Sequence, residues 1–165
     1  MTQVAYGTYT ALTVTNLQSL ASSATAGWQS ARVDNQTSVK AIDYEFIVKL
    51  TTANTAPAND KAAYVFLSPA VTTDGGTTWL HADGGTTTLP SGTEGTYTIG
   101  GVTTTNNLVP LGTLAYTTQN QTMQGVFTLS NAFGQTMPDG FSVIIVNYTG
   151  AALSTSCVVA YRAIT

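Results

Sequence analysis

The alternation of apolar and polar residues is clearest between residues 40 and 50. One set of side chains, which would face a core, comprises Ile42, Tyr44, Phe46, Val48 and Leu50. Because successive side chains of a strand point to opposite faces, this period of two predicts a half-buried antiparallel strand. A second strand is predicted over residues 62–67, after a turn over residues 57–60, and the two strands together predict a hairpin.

Short strands with turn residues between them are predicted along the rest of the chain. They cover residues 10–17, 28–34, 77–82, 93–99, 111–117, 124–129, 141–148 and 157–164. No window keeps an apolar stripe of helical period for three turns. A chain of this kind, with roughly eight to ten short strands, is typical of an all-β sandwich. We therefore expect one antiparallel β-sandwich domain of the jelly-roll type over residues 1–165.

The strand over residues 141–148 differs from the others because it is apolar on both faces. Such a strand is either covered on both sides or closes a contact between subunits. The second alternative makes Phe141, Val143, Ile145 and Tyr148 candidate residues for a subunit or capsid contact.

Composition supports the all-β prediction and limits the partners. Among 165 residues there are 32 Thr, 8 Tyr and 15 Gly, and β-branched Thr favours extended backbone. Only 8% of residues are charged, against about 25% in ordinary proteins. The five basic residues are scattered, so no cluster exists to neutralise phosphates. We expect neither a nucleic-acid nor a membrane partner. The first 30 residues hold no Lys or Arg, so we expect synthesis in a cytoplasm without a secretory signal.

The segment TTDGGTTW contains the one recognisable local motif, formed by Thr72, Asp74, Gly76, Thr78 and Trp79. It resembles the Asp-box of sialidase-like proteins. In a hairpin, the Asp would bond to the turn backbone, the Gly would adopt positive φ, and the Trp would begin the returning strand. We expect a structural role, because propellers repeat the motif in every blade and this chain has it once. Glycan binding or hydrolysis at the motif is the alternative.

The sequence contains few of the residues that a metal, cysteine-based or phosphate site would need. A related turn over residues 83–87 pairs Asp83 with Asp74 as a conceivable calcium site, but calcium needs six to eight oxygen ligands. His81 and Cys157 are the only residues of their types, so neither a zinc site nor a paired-cysteine motif is expected. No glycine-rich loop precedes a helix, as phosphate binding requires. The sequence predicts no enzyme, no cofactor and no metal.

Two segments carry a resemblance to a known group of proteins. Residues 137–163, MPDGFSVIIVNYTGAALSTSCVVAYRA, and residues 17–35, LQSLASSATAGWQSARVDN, are similar to segments of small virion structural proteins of tailed bacteriophages. The resemblance implies a capsid decoration (cement) protein, which binds the major capsid protein on the outside of the shell. It also implies self-association, most often as a homotrimer, and a location in the virion.

The distribution of charged residues refines this expectation. Eleven of the 13 charged residues lie between Arg32 and Glu94, so the nearly uncharged C-terminal half is the expected place of contact. The alternative function is a host-recognition or carbohydrate-binding module of a tail or fibre, with Trp79 or Tyr97 as the platform for a sugar. A hydrolase built around the Asp-box would need further acids and arginines.

Overall fold

A computed structural model describes residues 3–36, 40–58, 61–82, 92–101, 107–134 and 136–165. These residues form strands and one helical turn, α1 (Ser130–Phe133). The strands are β1 (Thr10–Ala11), β2 (Ala26–Gln29), β3 (Val33–Asp34), β4 (Asp43–Thr51), β5 (Ala62–Thr72), β6 (Trp79–His81), β7 (Gly95–Thr98), β8 (Val109–Ala115), β9 (Thr122–Thr128), β10 (Gly140–Tyr148) and β11 (Val158–Ile164).

The strands form two antiparallel sheets. Sheet A has the order β1-β11-β4-β9, and sheet B has the order β6-β5-β10-β2-β7, with β8 also paired to β5 and β3 to β10. If the short strands β3, β6 and β7 are left out, the strand order of sheet B is β2-β10-β5-β8. The chain thus passes repeatedly from one four-stranded sheet to the other, as in a jelly roll made of two Greek keys. The predicted antiparallel sandwich is confirmed, with eleven strands in the described residues because the strand expected over residues 28–34 is divided in two.

The predicted hairpin of residues 40–50 and 62–67 is wrong, because β4 lies in sheet A and β5 in sheet B. Phe46 on β4 and Val65 on β5 are both fully buried in the same core between the sheets. Two strands that face each other from opposite sheets show the same alternation as two strands paired within one sheet. The alternation therefore does not show which strands are paired. Ile42, expected to face the core, precedes β4 and is 59% exposed.

Two other predicted strands are shortened or broken. The strand expected over residues 10–17 contains only β1, because the chain then turns and buries Leu17 in the core. The strand expected over residues 28–34 is divided into β2 and β3. Between them the pairing with β10 shifts by one residue, and the Ser30 hydroxyl accepts a bond from the Val143 N–H.

Strand β10 is the centre of sheet B, since β5 pairs with one side of it and β2 and β3 with the other. Its inward side chains join the main core between the sheets. Its outward residues Ile144 and Val146 join a second cluster with Phe66, Tyr97 and Ile99. The strand is therefore covered on both faces by its own chain.

Candidate binding surfaces

The four residues proposed for a subunit contact lie on β10. Phe141, Val143 and Ile145 have no exposed surface and belong to the core between the sheets, and Tyr148 is half-buried at the end of the strand. A contact through the first three is not available to another chain. Their apolar character is explained by the alternative already considered, a central strand covered on both sides.

The five residues of the Asp-box lie in the hairpin that joins β5 to β6. The Asp74 carboxylate accepts the N–H groups of Thr78 (2.7 Å) and Thr77 (3.1 Å) and the hydroxyl of Thr72 (3.0 Å). The Thr72 hydroxyl accepts the Gly76 N–H. Because the Thr78 N–H above all stabilises the charged carboxylate, the pKa of Asp74 is lowered. These bonds turn the side chain of Asp74 to its own loop.

Glycines and an aromatic ring complete this hairpin. Gly75 and Gly76 have φ of +71° and +103°, which glycine adopts at little cost. Trp79 is the first residue of β6, and its indole N–H donates to the Gly76 carbonyl at 2.8 Å. Its ring lies against Gly140, where an added Cβ would be 2.8 Å from it. Every side chain of the motif thus serves the turn or its packing.

The two aromatic residues considered as sugar platforms, Trp79 and Tyr97, have ring faces that other residues of the chain cover. The guanidinium of Arg32 lies 4.0 Å from the centre of the Trp79 ring, so one face of the indole is covered. Tyr97 is only 2% exposed and belongs to the second apolar cluster. Tyr97 therefore has no face to offer to a sugar.

Metal-binding and nucleophilic groups do not come together in the described residues. Within these ranges no group of three His, Cys, Asp or Glu side chains is placed to hold a metal ion. Asp83, the second residue of the conceivable calcium pair, lies outside them. Cys157 is buried, and its burial raises the pKa of the thiol. The pKa of His81 is lowered, by burial first and by the nearby charge of Arg32 second.

Most acidic side chains bind the protein's own groups. Glu94 accepts the indole N–H of Trp28 (2.6 Å) and the side-chain amide of Asn16 (2.7 Å). Asp43 accepts the hydroxyl and N–H of Ser130. Because these carboxylates join distant parts of the chain, they act as structural acceptors.

The outer face of sheet A exposes a regular set of side chains. We define it as the outward positions of β4, β11 and β9, namely Glu45, Ile47, Lys49, Val158, Ala160, Arg162, Gln124, Val126 and Thr128. A row of apolar residues crosses it, with Ala160 opposite Ile47 and Ile47 opposite Val126. Val126 is 55% exposed and Val158 is 42% exposed. Paired strands of sheet A therefore present aliphatic side chains to solvent.

Two tyrosines extend this face along the N-terminal segment. The Arg162 guanidinium lies 4.7 Å from the Tyr6 ring and 4.9 Å from the Tyr9 ring, and it pairs with Glu45 at 2.7 Å. The Tyr9 hydroxyl donates to the same carboxylate. This bond, together with burial and the charge of Glu45, raises the pKa of Tyr9. Tyr and Arg are the residue types that protein interfaces favour.

An open groove of about 470 Å³ is a further concave feature. It lies where β5 ends and α1 approaches, and it is lined by Pro69, Val71, Phe133, Thr136, Met137, Pro138 and Asp139. Asp139, its one charged residue, accepts the Thr72 N–H at 3.0 Å and a bond from the Gln36 amide. The groove is therefore mainly apolar, and its carboxylate already has partners.

Comparison with family models, with curated proteins and with solved structures finds no match for this chain. In the described ranges, no helix is long and apolar enough to cross a membrane.

The sequence did not predict the outer face of sheet A, which combines residues of β4, β9 and β11, and the expected contact through the C-terminal half stays a prediction. The signal was present as alternation in β9 and β11, where Val126, Val158 and Ala160 share outward positions with polar residues. We had assigned contact to the most apolar strand, which the fold places in its centre.

Proposed function

We propose that this protein is a bacteriophage virion component without enzymatic activity, which decorates the outside of the capsid and stabilises the shell by protein–protein contacts. The observation that carries the proposal is the outer face of sheet A. It combines a rigid strand framework, exposed aliphatic residues and a Tyr–Arg cluster, which suit a contact that does not depend on ionic strength.

The charges of this face also favour such a contact. Glu45 and Arg162 neutralise each other, and Lys49 is the only other charged residue among the nine positions of the face. Covering the four apolar positions of the face, Ile47, Val126, Val158 and Ala160, removes apolar surface from water and so favours association. In the proposed mechanism, the face docks on the major capsid protein, and self-association bridges neighbouring capsomers. A threefold association remains a prediction of the resemblance.

The two segments that carry the phage resemblance contact each other in the fold. Leu20 in the first accepts a hydrogen bond from the Asn147 amide in the second, and Ser22 accepts one from the Gly150 N–H. The two segments thus form one corner of the sandwich. The resemblance follows the structural core, and the binding face must be tested separately.

Co-sedimentation with empty, expanded capsid shells tests the proposal. We expect the wild-type chain to pellet with shells equally at low and high salt, and Val158→Glu to lose binding at least tenfold. Leu80→Glu is the matched control, since Leu80 is 57% exposed but lies on β6 of sheet B. Retention on host cells or glycans without binding to shells would contradict decoration and support the host-recognition alternative.

A further inference from the structure

In the part of the chain that the structure describes, strand β9 forms an open edge of sheet A. It ends the strand order there, with β4 as its one partner in that sheet. It has seven residues, TMQGVFT, with neither a charge nor a proline. Proteins usually protect exposed edges with charges, prolines or very short strands. The other terminal strands follow this rule better, because β1, β6 and β7 have two, three and four residues and β8 contains Pro110.

The hydrogen-bond pattern shows which groups of β9 face outward. Just beyond the paired residues, the Thr52 N–H donates to the Gln121 carbonyl (3.1 Å) and the Leu129 N–H donates to the Tyr44 carbonyl (3.0 Å). Both bonds continue the register of β4 and β9. Because bonded and non-bonded pairs alternate in an antiparallel ladder, the odd-numbered residues of β9 bond to β4. The even-numbered residues turn their N–H and C=O groups away from β4; they are Thr122, Gln124, Val126 and Thr128.

The side chains near this edge are incompletely covered. Met123 and Phe127 face the core but remain partly exposed, whereas their β4 neighbours Leu50 and Phe46 are completely buried. The outward Val126 is also exposed. A strand added beside β9 would cover apolar surface and pair the outward backbone groups in one step.

We propose that the free edge of β9 pairs antiparallel with β9 of a second copy of this chain. A twofold axis at Gly125 places Thr122 opposite Thr128 and Gln124 opposite Val126 of the partner copy, so every outward backbone group is paired. The same axis places Met123 opposite Phe127, a favourable sulfur–aromatic combination. The two glycines meet at the axis.

Charge favours a second copy at this edge. Each chain has a net charge of −3, so two copies repel each other least where both surfaces are uncharged. Neither β9 nor the segment from residue 95 to residue 138 contains a charged residue. The pair has twofold symmetry, which differs from the threefold association implied by the phage resemblance. It does not depend on capsid binding.

Sedimentation equilibrium of the full chain between 5 and 100 µM tests the inference. We expect a dimer, and we expect Val126→Lys and Gln124→Pro to raise the dissociation constant at least tenfold. Proline at position 124 removes an outward N–H and leaves the bonds to β4 intact. The matched control is Val158→Lys, an equally simple substitution on internal strand β11, which should remain dimeric.

A disulfide test is independent of the folding of the proline variant. Under oxidation, the double variant Gln124→Cys/Val126→Cys should form a covalent dimer, because these positions face each other only between copies. A wild-type monomer at 100 µM would overturn the inference. A trimer, or a dimer that Val126→Lys leaves unchanged, would overturn it as well, and capsid co-sedimentation would then still test the proposed function separately.

Discussion

The side-chain amide of Asn147 donates to the carbonyl of Leu20 at 2.9 Å across a separation of 127 residues. The same amide nitrogen donates to the Ala151 carbonyl at 2.8 Å, and the Thr149 hydroxyl donates to the side-chain oxygen Oδ1 of Asn147 at 2.8 Å. Asn147 and Thr149 have no exposed surface. A completely buried polar cluster therefore joins the end of β10 to the segment that leads into β2.

Replacing Asn147 with Ala should lower the free energy of unfolding by about 2–3 kcal/mol. The change removes four hydrogen bonds of the Asn147 side chain, each contributing roughly 0.5–1 kcal/mol. Urea denaturation measures the effect. Asn54→Ala is the control, since Asn54 is exposed and accepts one bond, from Asn120; it should cost less than about 0.5 kcal/mol. Equal losses in both variants would show that the cluster does not stabilise the corner.

The sequence predicted the sandwich well because strands such as β4 keep a clear alternation of core-facing and outward residues. Tyr44, Phe46, Val48 and Leu50 are all buried as expected. The sequence did not predict which strands pair with each other. Strand β5, which carries Val65 and lies in the opposite sheet, has the same apolar pattern as a strand paired beside β4. Assigning partners requires the topology, which depends on contacts between residues far apart in the chain.

The proposed binding surface was harder to predict for a related reason. An apolar strand such as β10 is buried by its own chain, so Phe141, Val143 and Ile145 face the core and not a second chain. The exposed residues Val126 and Val158 are single aliphatic side chains among polar ones, which is common on protein surfaces. Their alignment across β9, β4 and β11 becomes visible only when the register is known.

Replacing Asp74 with Ala should loosen the hairpin between β5 and β6 without unfolding the sandwich. The carboxylate accepts the Thr77 and Thr78 N–H groups. The side chain of Ala has no acceptor, so both bonds are lost. Hydrogen exchange should accelerate at Thr77 and Thr78 and stay unchanged in β10. Asp74→Asn keeps one acceptor oxygen and should give an intermediate effect. Unchanged exchange in both variants would contradict this role.

Replacing Gly125 with Ala should destabilise the protein by about 1–3 kcal/mol through overpacking. A Cβ at this position would lie 2.6 Å from the Phe127 ring and 2.9 Å from Leu114. The ring also occupies the space above Gly112, at 2.6 Å, so it cannot move freely. Phe127→Leu should therefore cost less in the Gly125→Ala background than in the wild type. Gly95→Ala, with nothing within 4 Å, is the control, and additive effects would exclude the predicted coupling.

Acidification from pH 7.5 to pH 5 should reduce stability through His81. Both of its ring nitrogens are buried and have no hydrogen-bond partner among the described residues, and burial, with Arg32 nearby, lowers its pKa in the folded protein. In the unfolded chain the pKa returns to about 6.5. As the pH falls below that value, the unfolded state gains a proton that the folded state does not bind, so the free energy of unfolding decreases until the folded pKa is reached. Urea midpoints measured at both pH values should fall further for the wild type than for His81→Gln. Equal falls would show that His81 is not responsible.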